Sequence, residues 1–296
     1  MVRPLPGTGH PDQTSCLAPR PPSPVHWMTP SHLKAAIKNL VDHRDLLVHF
    51  VARDLKSRYA GSFMGIVWNV VHPLVMITIY TLVFSRIMRA RLPGMPDVYS
   101  YSIYLCAGLL PWNAFAEVVS RSATVFLDQA WLLKKIRIPK KLLSGSIVLS
   151  SAINFLIGFS IFFIFLLLTG HVPNRAYLIL PLLLVLQFAF AFGLGLMVSV
   201  LNVFLRDISQ LVGIGLQFWF WLTPIVYLEE VLPDGIRRLL RLNPMTHFMR
   251  GYHGVILDGL VPSWSLLGTT ALATLMSLAI GSAIFFRLKD EIADEV

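Results

Sequence analysis

The 296-residue sequence is poor in charged residues and in cysteine. Charged residues make up only 14% of the chain, whereas hydrophobic residues make up 55% and the mean hydropathy is +0.65. A soluble domain of this length cannot bury so much apolar surface in one core, so the composition indicates a polytopic membrane protein. The two cysteines, Cys16 and Cys106, lie far apart in unlike segments. This spacing argues against a disulfide framework or a zinc site.

Motifs for nucleotide binding and catalysis are also missing. The sequence contains no GxxxxGK[ST] loop, which excludes a P-loop in this chain, and no HExxH, CxxC or GxSxG. The stretch HGVILD, from His253 to Asp258, matches an HxxxxD pattern of acyltransferases, but two residue types are a weak signal. Glu229 and Glu230 are adjacent and would point apart on a helix, which makes a poor acid/base pair. We therefore expect no catalytic residue, cofactor site or metal site in this chain.

Long apolar runs predict an all-α integral membrane fold. A helix that crosses a bilayer needs about 20 mostly apolar residues, and several segments reach that length without the alternation of β-barrel strands. The predicted spans are 64–88, 99–119, 142–169, 176–205, 209–228 and 264–286. The sequence therefore predicts six transmembrane helices per protomer.

The distribution of basic residues predicts the orientation of these helices. About two thirds of the Lys and Arg residues fall in segments on the same side as both termini, and basic connections tend to stay in the cytoplasm. We expect both termini to be cytoplasmic. The net charge of +9 reflects this bias and attraction to anionic membrane lipids, and it does not indicate nucleic acid binding.

The chain divides into three parts. Residues 1–30 are rich in proline and lack the apolar core of a signal peptide, so we interpret them as a disordered tail, with Met28 as an alternative start. Residues 31–58 mix apolar residues at helical spacing with Lys and Arg, which is typical of an amphipathic helix in the cytoplasmic membrane interface. Residues 59–296 form the predicted transmembrane domain.

Two connections within this domain are unusually rich in sequence features. Residues 120–142 form a basic segment with Trp131, Leu132 and Leu133, which suits a short helix that docks on a soluble partner. Residues 229–263 contain two amphipathic pieces separated by an Asn-Pro pair. Long structured loops are often functional, and we expect this one to form re-entrant helices that close a pathway on the outer face.

Polar and aromatic residues within the spans are further candidates. His72 and Glu117 are ionisable, although a hydrogen bond to a neighbouring helix or a position at headgroup depth explains them too. One face of the second span carries Tyr101, Tyr104, Gly108, Trp112 and Phe115. That face suits the stacking of sugar rings, and it equally suits helix packing or an aromatic belt.

Seven motifs in a fixed order resemble a known family. They are RDLKSRY, SFMGIVWNVVHPL, GLLPW, LLKKIRIPKKL, LNVFLRDI, TPIVY and RLNPM. Over about 50–290 the sequence resembles the membrane permeases of ABC exporters for O-antigen, capsular polysaccharide and teichoic acid. The resemblance implies a homodimer bound to two copies of a separate ATP-binding cassette ATPase, which would carry the ATP and Mg²⁺. It also implies a bacterial inner membrane protein that exports an undecaprenyl-diphosphate-linked polysaccharide.

The resemblance also implies roles for particular residues. The entrance for the lipid-linked substrate would comprise Arg53, Lys56, Arg58 and Tyr59, because arginine makes bidentate contacts with phosphate. The glycan path would be lined by Trp68, Tyr104, Trp112, Phe115 and Trp219. Coupling to the ATPase would involve Asp128, Trp131, Lys134, Lys135 and Pro139. The gate would contain Asn243, Pro244 and Arg250.

Two other functions remain open at the level of sequence. The first is an ABC exporter of a drug or a small lipid, which would favour a plainer apolar pathway. The second is a membrane-embedded glycan transferase, which would require a working pair such as His253 and Asp258.

Overall fold

The structure is a computed structural model, and it describes residues 44–58, 61–88, 92, 98–135, 139–289 and 291–295. The predictions for the tail 1–30, for the first part of the interface helix (31–43) and for Tyr59 lie outside these residues.

The described residues form a helical bundle. Its helices are α1 (Arg44–Ser57), α2 (Trp68–Tyr80, continued by a π-helical segment Thr81–Ile87), α3 (Ser100–Asp128), α4 (Ala130–Lys135), α5 (Lys140–Leu168), α6 (Leu180–Phe204), α7 (Ile208–Trp221), α8 (Asp234–Leu240), α9 (Pro244–Ile256), α10 (Trp264–Leu288) and α11 (Ile292–Glu295). Short 3₁₀ turns, Gly65–Val67, Arg175–Ile179 and Glu229–Val231, precede α2, α6 and α8.

Five helices within the described ranges are long and apolar enough to cross a membrane. They are Trp68–Ile87, Ser100–Asp128, Lys140–Leu168, Arg175–Phe204 and Trp264–Leu288. Each contains most of one span predicted from the sequence, so the all-helical membrane class is confirmed.

The predicted span 209–228 has a different form. The corresponding helix, α7, has 14 residues and ends at Trp221. Pro224 follows closely, and proline cannot donate the backbone hydrogen bond that would continue the helix. At 1.5 Å per residue, α7 is roughly 21 Å long, shorter than the hydrocarbon core of about 30 Å.

Helix α3, which contains the second predicted span, is longer than its apolar run suggested. The sequence predicted a span over 99–119, whereas α3 continues to Asp128. Glu117 and Arg121 end the apolar pattern, but both side chains form ion pairs with α1. Because these charges have partners, the helix continues past them, and the predicted 120–142 connection is reduced to α4 and the turns beside it.

The core of the bundle is built around α3. Most α3 side chains from Ser100 to Phe126 are buried, against α5, α6, α7 and α9. The apolar residues Leu47 and Val51 hold α1 against α5. Helices α6 and α10 pack closely, because Gly193 and Gly281 let the two backbones meet.

Contacts between chain segments define two ends of the bundle. At one end, called the α1 end, Arg53 Nη2 donates to Gln129 Oε1 just after α3, at 2.7 Å. At the same end, the ammonium of Lys140 at the start of α5 donates to the carbonyl of Lys289 after α10. The end of α6 belongs here too, since Val203 packs in one cluster with Phe285 of α10.

The opposite end is defined by tyrosine hydroxyls. Tyr104, near the start of α3, donates to the carbonyls of Pro224 (3.2 Å) and Tyr227 (2.8 Å). Tyr177, just before α6, donates to the carbonyl of Ile256 at 3.2 Å. Because α6 ends at the α1 end and residues 224–227 lie at the opposite end, α7 and the loop after it run from one end of the bundle to the other.

Candidate functional site

Four charged side chains meet where α1 contacts α3, and they are called the ion-pair cluster: Asp54, Arg58, Glu117 and Arg121. Arg58 Nη2 lies 2.5 Å from Glu117 Oε1, and Arg58 Nε lies 3.3 Å from Asp54 Oδ2. Arg121 pairs with Asp54, and its Nη1 lies 3.6 Å from Glu117 Oε1. Each charge has an opposite partner, which lowers the cost of placing it beside apolar helices.

Helix α5 completes the ion-pair cluster with neutral groups. Ser151 Oγ donates to Glu117 Oε1 at 2.9 Å, and Asn154 Nδ2 donates to Glu117 Oε2 at 3.4 Å. Arg58 Nη2 donates to Ser150 Oγ at 3.3 Å. The cluster therefore ties α1, α3 and α5 together.

The protonation of Asp54 follows from this environment. Burial alone would raise the pKa of its carboxyl group, but hydrogen bonds and the positive charges of Arg121 and Arg58 outweigh burial. The net effect is a pKa below the ordinary value of 3.8, so Asp54 is an anion at neutral pH.

The predicted entrance residues lie on α1 or directly after it. Arg53 bonds to Gln129 and its guanidinium lies 5.2 Å from the centre of the Phe50 ring. Lys56 is exposed, and Arg58 contacts both carboxylates of the ion-pair cluster. Their role at a substrate entrance stays a prediction.

The structure brings three of the predicted glycan-path aromatics together in the core. The ring centres of Trp112 and Phe115 are 5.6 Å apart, and Trp219 lies 6.4 Å and 5.3 Å from them. Trp112 is 4% exposed and Phe115 is fully buried. Phe190 of α6, which sequence reasoning missed, extends this stack at 5.7 Å from Phe115, because nothing in its uniformly apolar run distinguished it.

The other two predicted path residues lie elsewhere. Tyr104 is buried at the opposite end, where its ring stacks on His253 at 4.0 Å. Trp68 is 43% exposed at the start of α2, and its Nε1 donates to Ser62 Oγ at 3.1 Å. A glycan path along these five residues stays a prediction.

The predicted coupling residues follow α3 at the α1 end. In α4, Trp131 is 55% exposed, whereas its neighbour Leu132 is buried in a cluster of apolar side chains. Lys134 and Lys135 are also exposed. An anchored short helix that presents an indole and two ammonium groups has the form of a docking surface. The remaining two residues flank it: Asp128 ends α3 and accepts a hydrogen bond from Thr124 at 2.7 Å, and Pro139 caps α5.

The predicted gate residue Asn243 connects three segments of the chain. Its Oδ1 accepts from Trp219 Nε1 at 2.7 Å and caps α9 by accepting from the Met245 backbone N–H at 3.0 Å. Its Nδ2 donates to Leu222 O and Thr223 Oγ1, both at 3.0 Å. Pro244 occupies the first turn of α9, where its missing N–H costs nothing.

Helix α9 is inserted among the long helices. Phe248 and Tyr252 are fully buried, and the Phe248 ring lies 5.8 Å from Phe190. The third predicted gate residue, Arg250, forms a bidentate pair with Glu229, with Nε 2.7 Å from Oε2. Sequence reasoning did not identify Glu229 as this partner, because the two residues meet only through the fold.

A cavity of about 430 Å³ lies between α2, α3 and α5, and it is called the α2–α3–α5 cavity. Its polar lining comprises Asn69, His72, Asn113, Glu117 and Asn154. Sequence reasoning named His72 and Glu117 as candidates but missed Asn113 and Asn154. The i, i+4 spacing of Asn113 and Glu117 was the available signal.

The part of the chain that the structure describes contains no group of three or more His, Cys, Asp or Glu side chains that could hold a metal ion. His253, part of the HGVILD stretch, stacks on the Tyr104 ring, and its Nε2 lies 3.1 Å from the Tyr104 carbonyl oxygen.

Long apolar helices with a short helix inserted among them are typical of an integral membrane protein. Residues 46–257 match the ABC-2 type transporter family, and the chain belongs to that family. It is 29% identical to an O-antigen export system permease protein RfbA of Myxococcus xanthus, over 88% of this chain and 98% of the relative. An RfbA of Klebsiella pneumoniae is also 29% identical, over 84% of this chain and 94% of the relative. The polysialic acid transport protein KpsM of Escherichia coli is 23% identical over 81% of this chain and 91% of the relative.

Proposed function

We propose that this chain is the transmembrane subunit of an ABC transporter that exports an undecaprenyl-diphosphate-linked polysaccharide, such as O-antigen, across the bacterial inner membrane. The observation that carries the proposal is similarity over nearly the whole chain to two O-antigen export permeases and a polysialic acid transport protein. The energy comes from a separate ATPase, since the sequence has no P-loop.

The proposed topology has six crossings with both termini in the cytoplasm. The fifth crossing in chain order consists of α7 and the loop after it, whose ends lie at opposite ends of the bundle. The α1 end is then the cytoplasmic end, in agreement with its excess of basic residues. Helices α8 and α9 form the re-entrant gate on the outer side, held closed by the Arg250–Glu229 pair and by Asn243.

The proposed assembly is a homodimer with two ATPase subunits. Helix α7 supports the homodimer, because it has no buried residue in this chain and its apolar side chains need a partner or lipid. The most exposed of them are Leu211, Ile214, Phe218 and Trp221. Helix α4 supports the contact with the ATPase, because Trp131, Lys134 and Lys135 are exposed on a short, anchored helix.

The mechanism begins when ATP binding closes the ATPase dimer and moves α4. The Gln129–Arg53 bond passes this motion to α1, and the ion-pair cluster passes it on to α3 and α5. The lipid-linked glycan enters beside α1, where Arg53, Lys56, Arg58 and Tyr59 meet the diphosphate. Displacement of α9 then opens the aromatic core for the glycan.

The test is ATP hydrolysis by the chain and its ATPase, reconstituted together in lipid vesicles with and without the lipid-linked glycan. We expect the glycan to stimulate hydrolysis. A Trp131→Ala, Lys134→Ala, Lys135→Ala variant should bind the ATPase about thirtyfold more weakly, because loss of an interface tryptophan costs roughly 2 kcal/mol. Arg175→Ala, which removes an exposed basic residue near the opposite end, is the matched control and should behave like the wild type.

Other outcomes point to other functions. Stimulation by a small hydrophobic compound but not by the glycan would support a drug or lipid exporter. Glycan transfer by the purified chain without any ATPase, abolished by His253→Ala or Asp258→Ala, would support a transferase and overturn the proposal.

A further inference from the structure

The α2–α3–α5 cavity has the size and access of a small-molecule site. Its volume of about 430 Å³ falls within the range of roughly 300–1,000 Å³ that ligand pockets occupy. Trp68, His72 and Asn113 line it and are exposed, so the cavity is open to the surroundings of the chain. Pro73 of α2 and Gly158 of α5 also line it and lie close to each other.

The polar groups of this cavity have unused hydrogen-bonding capacity. Asn113 makes no hydrogen bond to any residue that the structure describes, although it lies well within the apolar part of α3. One turn further along, Glu117 Oε2 accepts one bond, from Asn154 at 3.4 Å. Two carboxamides and a carboxylate offer donors and acceptors together, which is the chemistry that binds sugar hydroxyl groups.

An indole lies at the same cavity. Trp68 is 43% exposed, and the bond from its Nε1 to Ser62 Oγ fixes the orientation of the ring. A fixed, exposed aromatic face beside hydrogen-bonding groups suits the apolar face of a sugar ring. His72, one turn along α2 from Trp68, adds a further polar group to the same wall.

The charge of the cavity excludes a diphosphate. Among its described lining residues there is one carboxylate, Glu117, and no lysine or arginine. The nearest guanidinium, that of Arg58, lies beyond Glu117 at the α1 end, 2.5 Å from the carboxylate. The cavity therefore suits a neutral polyhydroxyl group, with positively charged side chains only at its α1 end.

We propose that the α2–α3–α5 cavity binds the sugar residue next to the diphosphate of the lipid-linked glycan. The inference rests on the proposed function and makes its substrate recognition more specific. Asn113, Asn154 and Glu117 bind the sugar hydroxyl groups, and Trp68 stacks on the ring. In this arrangement the diphosphate lies at the α1 end, and recognition of the first sugar precedes entry of the polymer.

The test is a binding measurement on the full chain with its ATPase in lipid nanodiscs. The probes are undecaprenyl diphosphate carrying one glucose or one N-acetylglucosamine, bare undecaprenyl diphosphate, and the free sugars. We expect one of the sugar-bearing lipids to bind about tenfold more tightly than the bare lipid, the effect of one or two net hydrogen bonds. Asn113→Ala and, separately, His72→Ala should reduce this preference several-fold without changing the affinity for the bare lipid.

The matched control is Thr78→Ala. Thr78 is exposed on α2 outside the cavity and its hydroxyl bonds only to Leu74 O of its own helix, so the preference should be unchanged. Equal affinity of the wild type for sugar-bearing and bare lipids would overturn the inference. So would a variant that weakens both lipids equally, or free sugar that binds as tightly as the lipid-linked sugar.

The same nanodiscs separate this inference from the proposed function. If the ATPase binds and the full lipid-linked glycan stimulates hydrolysis, but the lipid with a single sugar binds no more tightly than the bare lipid, only the cavity assignment fails. If no ATPase binds or no glycan stimulates hydrolysis, the proposed function fails.

Discussion

At the scale of single residues, four charged side chains beside the apolar helices are paired with one another. Asp54 of α1 and Arg58 directly after it meet Glu117 and Arg121 of α3, and these side chains are only 15–30% exposed. A charge placed beside apolar helices is costly unless an opposite charge and hydrogen bonds compensate for it. The same four residues also connect α1 to the bundle, so their electrostatics and the position of α1 depend on each other.

Removing one member of the ion-pair cluster should destabilise the protein. We expect Asp54→Asn to lower the free energy of unfolding by about 2 kcal/mol, somewhat less than the roughly 3–5 kcal/mol of a fully buried pair. The physical reason is that Arg58 and Arg121 lose a shared anionic partner. Thermal unfolding of the detergent-purified protein at neutral pH measures the effect.

The control and the pH dependence follow from the same structure. Asp45→Asn removes the exposed Arg44–Asp45 pair and should change stability little.

Because the pKa of Asp54 is lowered in the folded protein, the contribution of Asp54 to stability is fully present above the ordinary value of 3.8. This contribution disappears as the pH falls through the lower folded value. The stability difference between wild type and Asp54→Asn should therefore shrink only below about pH 4. A difference independent of pH down to strong acid would contradict this account.

At the scale of helices, close backbone contact holds α6 to α10. A Cβ atom on Gly281 would collide with the backbone carbonyl of Gly193, and a Cβ atom on Gly193 would lie 2.5 Å from Ser277. Polar side chains strengthen this contact, since Ser277 Oγ donates to Phe190 O at 2.8 Å. Small residues and interhelical hydrogen bonds of this kind join helices where no hydrophobic driving force exists between them.

Gly281→Ala should separate α6 from α10. The added methyl group has no space, and overpacking of this kind typically costs about 1–3 kcal/mol. We expect a lower unfolding temperature in detergent. Gly268→Ala on the same helix meets no atom within 4 Å and should leave stability unchanged or raise it slightly. Equal unfolding temperatures for the two variants would show that this contact carries no stability.

At the scale of the whole molecule, the path of α7 determines the topology. Five crossings would place the two termini on opposite sides of the membrane, whereas six place them on the same side. Contacts put both α1 and the end of α10 at one end of the bundle, because Arg53 bonds next to α3 and Lys140 bonds to the carbonyl of Lys289. The proposed crossing through α7 therefore does not require a continuous apolar helix of full length.

Accessibility of single cysteines tests this topology. In a background without Cys16 and Cys106, Val261→Cys should react with a membrane-impermeant maleimide in intact cells. Ala52→Cys and Glu291→Cys should react only after permeabilisation. All three positions are exposed, but positions 52 and 291 lie at the α1 end of the bundle and position 261 lies at the opposite end. Opposite behaviour of positions 52 and 291 would rule out six crossings.

The sequence predicted the class of structure well but not its internal contacts. Uninterrupted apolar runs are sufficient for helices such as α5 and α6, because backbone groups in lipid must be satisfied within the helix. The end of α7 and the extension of α3 to Asp128 were missed. The extension of α3 depends on a partner distant in sequence, since Arg121 pairs with Asp54. Pro224 was a local signal for the end of α7, but the position of residues 224–227 beside Tyr104 required the fold.

The candidate site residues differ in how far they are exposed. Trp131 was expected on a docking segment, and it is exposed. Trp112 and Phe115 were expected along a path, and they are buried against Phe190, whose position no local pattern indicated. Glu229 as the partner of Arg250, and Asn113 and Asn154 as cavity residues, required the fold.

The sequence by itself determined that this protein is a helical membrane protein with basic segments and the motifs of an exporter permease, because hydropathy, charge and motifs are local properties. Only the tertiary structure decided which charges pair, which side chains α9 buries, and that three helices line a cavity with polar groups in its wall. Those features depend on side chains far apart in sequence, such as Arg58 and Ser150, which are 92 residues apart, and distance in space follows from packing rather than from order along the chain.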